Sequence, residues 1–192
     1  HAAAYAVIAY QTAYLKTYFP GKFFAASMSS ELSNQNKLSE FYEELKRLKI
    51  EIQKPCINNC FAEFISTENK FYYALGAIKN VGFEAINQIV NERKKNGKFK
   101  SLNDFINRVD PKNINKLQLE GLVKAGAFDS LANNRREFHD SIPNIILASK
   151  SVFENKINNQ MKLFNDSNQT QTSLIPSNIK KDWEFEERLS KE

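Results

Sequence analysis

The five residues Ile78-Lys79-Asn80-Val81-Gly82 have the types and spacing needed to bind a phosphate group. A tight turn between two helices needs residues that tolerate positive φ, and we expect Asn80 and Gly82 to serve this purpose. Such a turn leaves the first backbone amides of the next helix without intrahelical partners, at the positive end of the helix dipole. Lys79 adds a cation. The stretch therefore predicts a phosphate-binding site that reads no particular base.

The residues after this turn have the spacing of an amphipathic helix, which completes the layout of a helix-hairpin-helix unit. The i, i+3, i+4 and i+7 positions are Ile86, Ile89, Val90 and Arg93. Gly97 ends the run, and further cations are expected near the turn from Lys94, Lys95, Lys98 and Lys100. The usual hairpin has Gly where this chain has Asn80, the next most tolerant residue of left-handed backbone. A plain helical hairpin with a glycine C-cap remains the alternative.

A second, looser copy of the pattern follows in Leu122-Val123-Lys124-Ala125-Gly126, before a helix expected to begin near Asn133. Two such units packed together form a compact, pseudo-symmetric core. Lys124 and Gly126 therefore join the first turn as candidate DNA-binding residues. The second copy can equally be structural, and we favour that role for Lys124.

The remaining chemistry-bearing residues indicate no catalytic centre. Cys56 and Cys60 are spaced C-x-x-x-C, but zinc needs two more ligands, and the two histidines, His1 and His139, are remote in sequence. Two reduced thiols are the simpler interpretation. The acidic residues are scattered among lysines on helix faces, so we predict no pair of carboxylates that holds two metal ions.

Composition places the chain among globular proteins. It has 192 residues, a net charge of +5 and 42% hydrophobic residues. A modestly basic chain permits nucleic-acid binding without demonstrating it. No run is long and apolar enough to span a bilayer. We expect a reduced, cytoplasmic protein without a membrane partner.

The elements that must position the hairpins are mainly helical. The stretch from Ala2 to Phe19 is apolar on all sides, which predicts a buried helix and suggests a piece of a larger protein. A short helix is expected around Lys22 to Ser29, followed by one whose apolar positions are Leu38, Phe41, Tyr42, Leu45 and Leu48. Two short β-prone runs flank the turn "TENK", and Ser101 with Asp104 resembles a capping box. The last helical region is expected to be interrupted at Pro143.

A polar segment without periodicity follows from about Asn155, and it contains an unexpected apolar group. Met161, Leu163 and Phe164 lie together where no core is expected to bury them, and Gln160 precedes them. A tethered arm can insert adjacent apolar side chains into a partner's pocket while an amide fixes the register. The alternatives are a stray apolar group in a linker, or a helix end folded back on the core.

Several separate stretches, in the same order, resemble one family. They are "HAAAYAVIAYQTAYLKTYFPGKFFAASMSSE", "KPCINNCFAEF", "YALGAIKNVGFEAINQIVNER", "GKFKSLNDFINRVD" and "NKLQLEGLVKAGAFDSL". Together they are similar to the C-family replicative DNA polymerases of bacteria, the polymerase III alpha subunits, from His1 to about Ala148. In "PCINNC" the family more often has Asp after the proline, which concerns only the local loop.

The resemblance implies a mainly α fold: a helical fingers segment, a small β hairpin and a tandem helix-hairpin-helix domain. The implied boundaries are residues 1–54 for the end of the fingers domain, 55–154 for the tandem DNA-binding domain, 155–178 for a linker and 179–192 for the start of the next segment. The family's Mg²⁺-binding aspartates lie in a palm domain upstream, so this stretch is expected to need no cofactor and to be inactive alone. A stand-alone, sequence-independent DNA-binding module is the alternative function.

The resemblance also implies partners. Duplex DNA, the sliding clamp (the beta subunit) and other subunits of the polymerase III holoenzyme are expected. In this family a motif after the hairpin region binds the clamp, and it consists of Gln, two variable residues, Leu or Met, and Phe. It matches Gln160, Met161, Lys162, Leu163 and Phe164 residue by residue.

Overall fold

The computed structural model describes residues 1–161 and 180–191 of the chain. Its helices are α1 Ala2–Tyr18, α2 Pro20–Ser30, α3 Gln35–Arg47, α4 Phe83–Asn96, α5 Leu102–Arg108, α6 Lys116–Lys124, α7 Arg135–Met161 and α8 Phe185–Lys191. Two 3₁₀ turns, Leu75–Ala77 and Pro111–Asn113, precede α4 and α6. The predicted mainly α fold class is confirmed. Among these helices none is both long and apolar enough to cross a membrane.

The predicted β hairpin is present and is joined by a third strand. Strands β2 (Ile65–Ser66) and β3 (Phe71–Tyr72) pair antiparallel around the turn. Strand β1 (Ile52–Gln53) pairs parallel to β3, so the order is β1-β3-β2. The sheet thus links residues on both sides of the expected boundary at residue 54.

Two hydrophobic cores hold these elements together. The first joins α2 and α3 to the sheet, with Phe24, Met28, Leu45 and Phe71 almost fully buried. The second is shared by α4, α5, α6 and α7, and its members include Ile86, Phe105, Leu122 and Ile145. The two hairpin units therefore pack into one common core, as expected for a tandem arrangement.

Helix α1 differs from its prediction, because none of its residues is buried. The helix packs along α2, and Lys16 pairs with Glu44 of α3 at 3.1 Å. Tyr5, Ile8 and Tyr10 remain largely exposed. An apolar helix becomes buried only where other elements cover it on all sides, and within the described residues none covers α1 in this way.

Helix α7 differs from its prediction in two ways: it is not interrupted at Pro143, and it extends farther toward the C-terminus. It continues through Pro143, whose position in the helix is exposed, so that solvent can satisfy the carbonyl freed by the missing N–H. It also runs beyond Asn155 to Met161, where the sequence suggested a linker. Lys156 donates a hydrogen bond to the carbonyl of Asn107 at the end of α5. This part of the segment is therefore helical and in contact with the domain.

Candidate nucleic-acid interface

The first hairpin is a reverse turn closed by the backbone. The Val81 N–H donates to the Ile78 carbonyl at 3.1 Å. Asn80 has φ 65°, as predicted, which places a left-handed residue within the turn. Ile78 is half-buried and Val81 is buried, so these two side chains anchor the turn on the core. Lys79 and Asn80 are exposed at the tip, where a ligand can reach them.

Gly82 does not have the positive φ predicted for it. It has φ −77° and ψ 131°, an extended conformation that any residue adopts. The reason is its position: Gly82 is the N-cap of α4, and N-cap residues have extended backbone. Among the described residues, a Cβ at Gly82 would contact only the Gln118 amide nitrogen, at 4.0 Å. The glycine therefore leaves open space beside the end of α4, and the turn does not need its flexibility.

The N-terminus of α4 offers backbone donors to an anion. Among the described residues no side chain caps it, and the N–H groups of its first turn have no intrahelical acceptor. We call the amides of Phe83, Glu84 and Ala85, together with Lys79, the hairpin site. Glu84 stabilises the same helix end with its own negative charge, and its side chain is exposed. The site is therefore suited to a phosphate, against a modest repulsion from Glu84.

Helix α6 approaches the turn through two residues, Gly121 and Gln118, that are not among the predicted site residues. A Cβ at Gly121 would lie 2.7 Å from the Lys79 carbonyl oxygen, closer than real contacts allow. Gln118, one turn earlier, is 2% exposed and reaches the surroundings of Gly82. Their spacing of three residues places both on one face of α6. In the sequence, this contact is indicated by a small residue and a polar residue that lie one helical turn apart among apolar neighbours.

The lysines expected near the turn lie at the opposite end of α4. With 14 residues, α4 is roughly 20 Å long, and Lys94 and Lys95 occupy its last turn. Lys98 donates to the Asn59 side chain at 2.9 Å, in the loop between β1 and β2. These cations, with Lys100, therefore provide a basic surface separate from the hairpin site. The prediction was wrong because residues that are close to the turn in sequence lie at the other end of the helix.

The turn of the second hairpin is held by side chains of the same chain. Gly126 has φ 75°, and the Arg135 guanidinium lies where its Cβ would be. Arg135 donates to the Lys124 carbonyl at 3.0 Å and pairs with Asp129 at 2.8 Å. Lys124 is half-buried and Gly126 is buried. This turn is thus fixed by internal contacts.

The N-terminus of α7, the helix that follows the second hairpin, is capped by side chains of the same chain. The Asn134 side chain accepts from the Glu137 N–H at 3.0 Å, and the Asp182 carboxylate accepts from the Arg136 N–H at 3.1 Å. Asp182 belongs to the segment 180–191, which folds back on α7 and places Trp183 beside His139. The second copy therefore holds a carboxylate of its own chain where the first presents uncapped amides.

Arg93 connects α4 to the loop that carries the two cysteines. It is 7% exposed and donates to the carbonyls of Ile57 and Cys60 at 2.6 and 2.7 Å. The Cys60 thiol is buried and donates to the Lys54 carbonyl, and burial raises its pKa to about 11. Cys56 and Cys60 are free thiols, and no group in the described part of the chain could hold a metal ion. This loop is structural support for α4.

The residues expected to bind the clamp fall at the limit of the described chain. Gln160 and Met161 end α7. Lys162, Leu163 and Phe164 lie outside the described residues. The match to the clamp motif therefore stays a prediction from the sequence.

Known proteins are similar in sequence both to the hairpin region and to the chain as a whole. The helix-hairpin-helix motif family matches residues 49–138. The chain is 46% identical over 164 residues to the DNA polymerase III subunit alpha of Borreliella burgdorferi, which covers 85% of this chain and 14% of that protein. It is 39% identical to the corresponding subunit of Campylobacter jejuni across 100% of this chain and 16% of that protein. For Caulobacter vibrioides the identity is 43% over 85% of this chain. The chain thus spans about a seventh of the length of these relatives.

Proposed function

We propose that this chain, which corresponds to a segment of the bacterial DNA polymerase III alpha subunit, holds duplex DNA by its backbone and tethers the polymerase to its clamp. The parent would add deoxynucleotides to a primer end by Mg²⁺-dependent phosphoryl transfer, in the cytoplasm and within the polymerase III holoenzyme. The Mg²⁺ ions would belong to the palm domain of the parent. The hairpins then serve positioning and not chemistry.

The observation that supports DNA holding is the contrast between the two hairpins. The first presents an uncapped helix end, an exposed Lys79 and an open glycine. The second has its helix end filled by Asp182 and Asn134. Backbone amides recognise phosphate oxygen and carry no information about bases. The first hairpin therefore suits duplex DNA of any sequence, and the separate lysines beyond α4 can add further phosphate contacts.

The clamp tether is supported by sequence alone. Its five residues match the motif that the resemblance implies, and they directly follow or end α7. A tether of this kind raises the effective concentration of the polymerase at the clamp.

The test of DNA holding is the salt dependence of binding to short duplexes of two unrelated sequences, followed by fluorescence anisotropy. We expect equal affinity for both duplexes and a linear fall of log affinity with log salt. Lys79→Gln should weaken binding and reduce the slope by about 0.9, the value for a protein that neutralises one phosphate fewer. Lys70→Gln, an exposed lysine in the β-hairpin turn, is the matched control. Equal effects of the two substitutions would contradict the proposal.

A further inference from the structure

Gln118 is a buried polar side chain whose donor has no acceptor. The residue is 2% exposed, and its amide nitrogen Nε2 makes no hydrogen bond within the described part of the chain. Buried donors are nearly always paired, because leaving one unpaired costs free energy. The same nitrogen lies 4.0 Å from the position that a Cβ would occupy at Gly82. The unpaired donor therefore faces the N-terminal end of α4.

We infer that Gln118 Nε2 donates a hydrogen bond to a phosphate oxygen bound at the hairpin site. This inference rests on the proposed holding of DNA and names a residue from the second hairpin unit that takes part in it. The acceptor that Gln118 lacks in the free protein is supplied by the ligand, a phosphodiester of the duplex backbone. The hairpin site then consists of backbone amides, one cation and one neutral side-chain amide.

The fold holds Gln118 in position for this contact. Its own N–H donates to the Asn115 side chain at 2.8 Å, which fixes the first turn of α6. Gly121 lets the same face of α6 approach the Lys79 carbonyl. Gly82 places no side chain between Gln118 Nε2 and the end of α4, and Nε2, which is buried in the free protein, reaches a bound phosphate by rotation of its amide. The terminal torsion of a glutamine is broad, so a small rotation turns the Nε2–H groups toward a bound oxygen.

Gln118 is expected to act differently from Lys79 on DNA affinity. A neutral amide releases no counterion from the duplex, so it contributes to affinity without changing the salt slope. A lysine changes both quantities. This difference separates a hydrogen bond to phosphate from general positive charge, and it also separates the inference from the proposed function.

The first experiment uses Gln118→Met in the full 192-residue chain. Methionine has a similar shape and no donor. We expect duplex affinity to fall about tenfold, as for a hydrogen bond to a charged acceptor, with an unchanged salt slope. The melting temperature should stay level or rise, because the substitution removes an unpaired buried donor. Gln88→Met, at an exposed position of α4, is the control and should bind as the parent does.

A second measurement does not depend on any variant folding. In the ¹⁵N-labelled parent chain, the side-chain NH₂ resonances of Gln118 should shift on titration with the duplex or with inorganic phosphate, and those of Gln88 should not. A Gln118 resonance that stays fixed at saturating duplex would overturn the inference. So would a Gln118→Met chain that binds as the parent does. If Lys79→Gln still weakens binding in that case, the proposed function is retained without the inference about Gln118. If the parent chain binds no duplex, both the inference and the proposed function are wrong.

Discussion

Two glycines beside the first turn serve opposite purposes. Gly121 lies where a side chain would strike the Lys79 carbonyl, whereas Gly82 borders open space with an ordinary extended backbone. One glycine is therefore required by packing within the protein. The other keeps the end of α4 accessible to a ligand.

Alanine at these two positions should separate folding from binding. Gly121→Ala is expected to destabilise the fold by about 1–3 kcal/mol, because the new methyl group must displace backbone in a packed contact. Gly82→Ala should leave the melting temperature nearly unchanged, since φ −77° suits alanine. It should weaken duplex binding by crowding the hairpin site. Thermal unfolding and anisotropy measure the two effects, and equal melting temperatures for both variants would disprove the packing difference.

The residues of the candidate site could be predicted only in part. The left-handed conformation of Asn80 followed from its chemistry and its place in a helix-hairpin-helix pattern. Gly82 was assigned the same conformation wrongly, because a glycine between two elements can equally be an N-cap. Gln118 was missed since it contacts the turn from another helix. The distance between Gln118 and Gly82 depends on how α6 packs, which no local pattern contains.

At the scale of elements, the N-terminus of α7 depends on residues that are distant in sequence. Asp182 accepts from the Arg136 N–H, and Lys180 donates to Asp140 at 2.8 Å. Burial opposes the charge on Asp182, but the amides of Arg136 and Trp183 and the Arg188 guanidinium hold its pKa below the usual value. Trp183 is 7% exposed and rests on His139. The charged form of Asp182 thus fastens this segment to α7.

Acid should therefore release the segment. A carboxylate with a lowered pKa in the folded state stabilises the protein above its unfolded pKa, and this contribution is lost as pH falls through the lowered value. Trp183 is the only tryptophan, so its fluorescence reports the docking. Asp182→Asn should shift the tryptophan signal toward that of an exposed residue even at neutral pH and flatten the acid transition. Glu184→Gln, exposed nearby, should leave both unchanged.

The sequence predicted individual helices and caps better than it predicted the contacts between elements. Apolar spacing predicted α3 and α4, and the Ser101 side chain caps α5 by accepting from the Asp104 N–H at 3.1 Å, as the capping signal indicated. The parallel pairing of β1 with β3 and the return of residues 180–191 to α7 were not predicted. These contacts join residues far apart in the chain, and the short polar segments involved carry no periodicity to indicate them.

At the scale of the whole molecule, the described part of the chain has two hydrophobic cores and a candidate phosphate-binding surface at the first hairpin. No cluster of acidic or other ligand residues in that part of the chain could hold a metal ion. Phosphoryl transfer by a polymerase needs two such ions on carboxylates. The chain spans about a seventh of the length of the relatives it matches, and we propose that the catalytic residues lie in another part of the parent protein.

We therefore expect the purified chain to extend no primer. Primed template, deoxynucleotides and Mg²⁺ should give no product on a sequencing gel at any enzyme concentration, while the same preparation binds the duplex. The full-length alpha subunit is the positive control. Extension that copurifies with the chain through successive columns would contradict the assignment of catalysis to another part of the parent.

The proposed clamp tether is tested at the scale of the whole assembly. Burying Leu163 and Phe164 in a partner's pocket is worth roughly 3–6 kcal/mol before the entropic cost of association, which is consistent with micromolar affinity. Replacing both with Ala should abolish binding to the sliding clamp in calorimetry and leave the melting temperature unchanged. The matched control replaces Leu174 and Ile175, an apolar pair farther along the same segment, and should bind normally. A large fall in melting temperature with clamp binding retained would instead assign Leu163 and Phe164 to the core, because a pair that stabilises the fold cannot also be free to enter a partner.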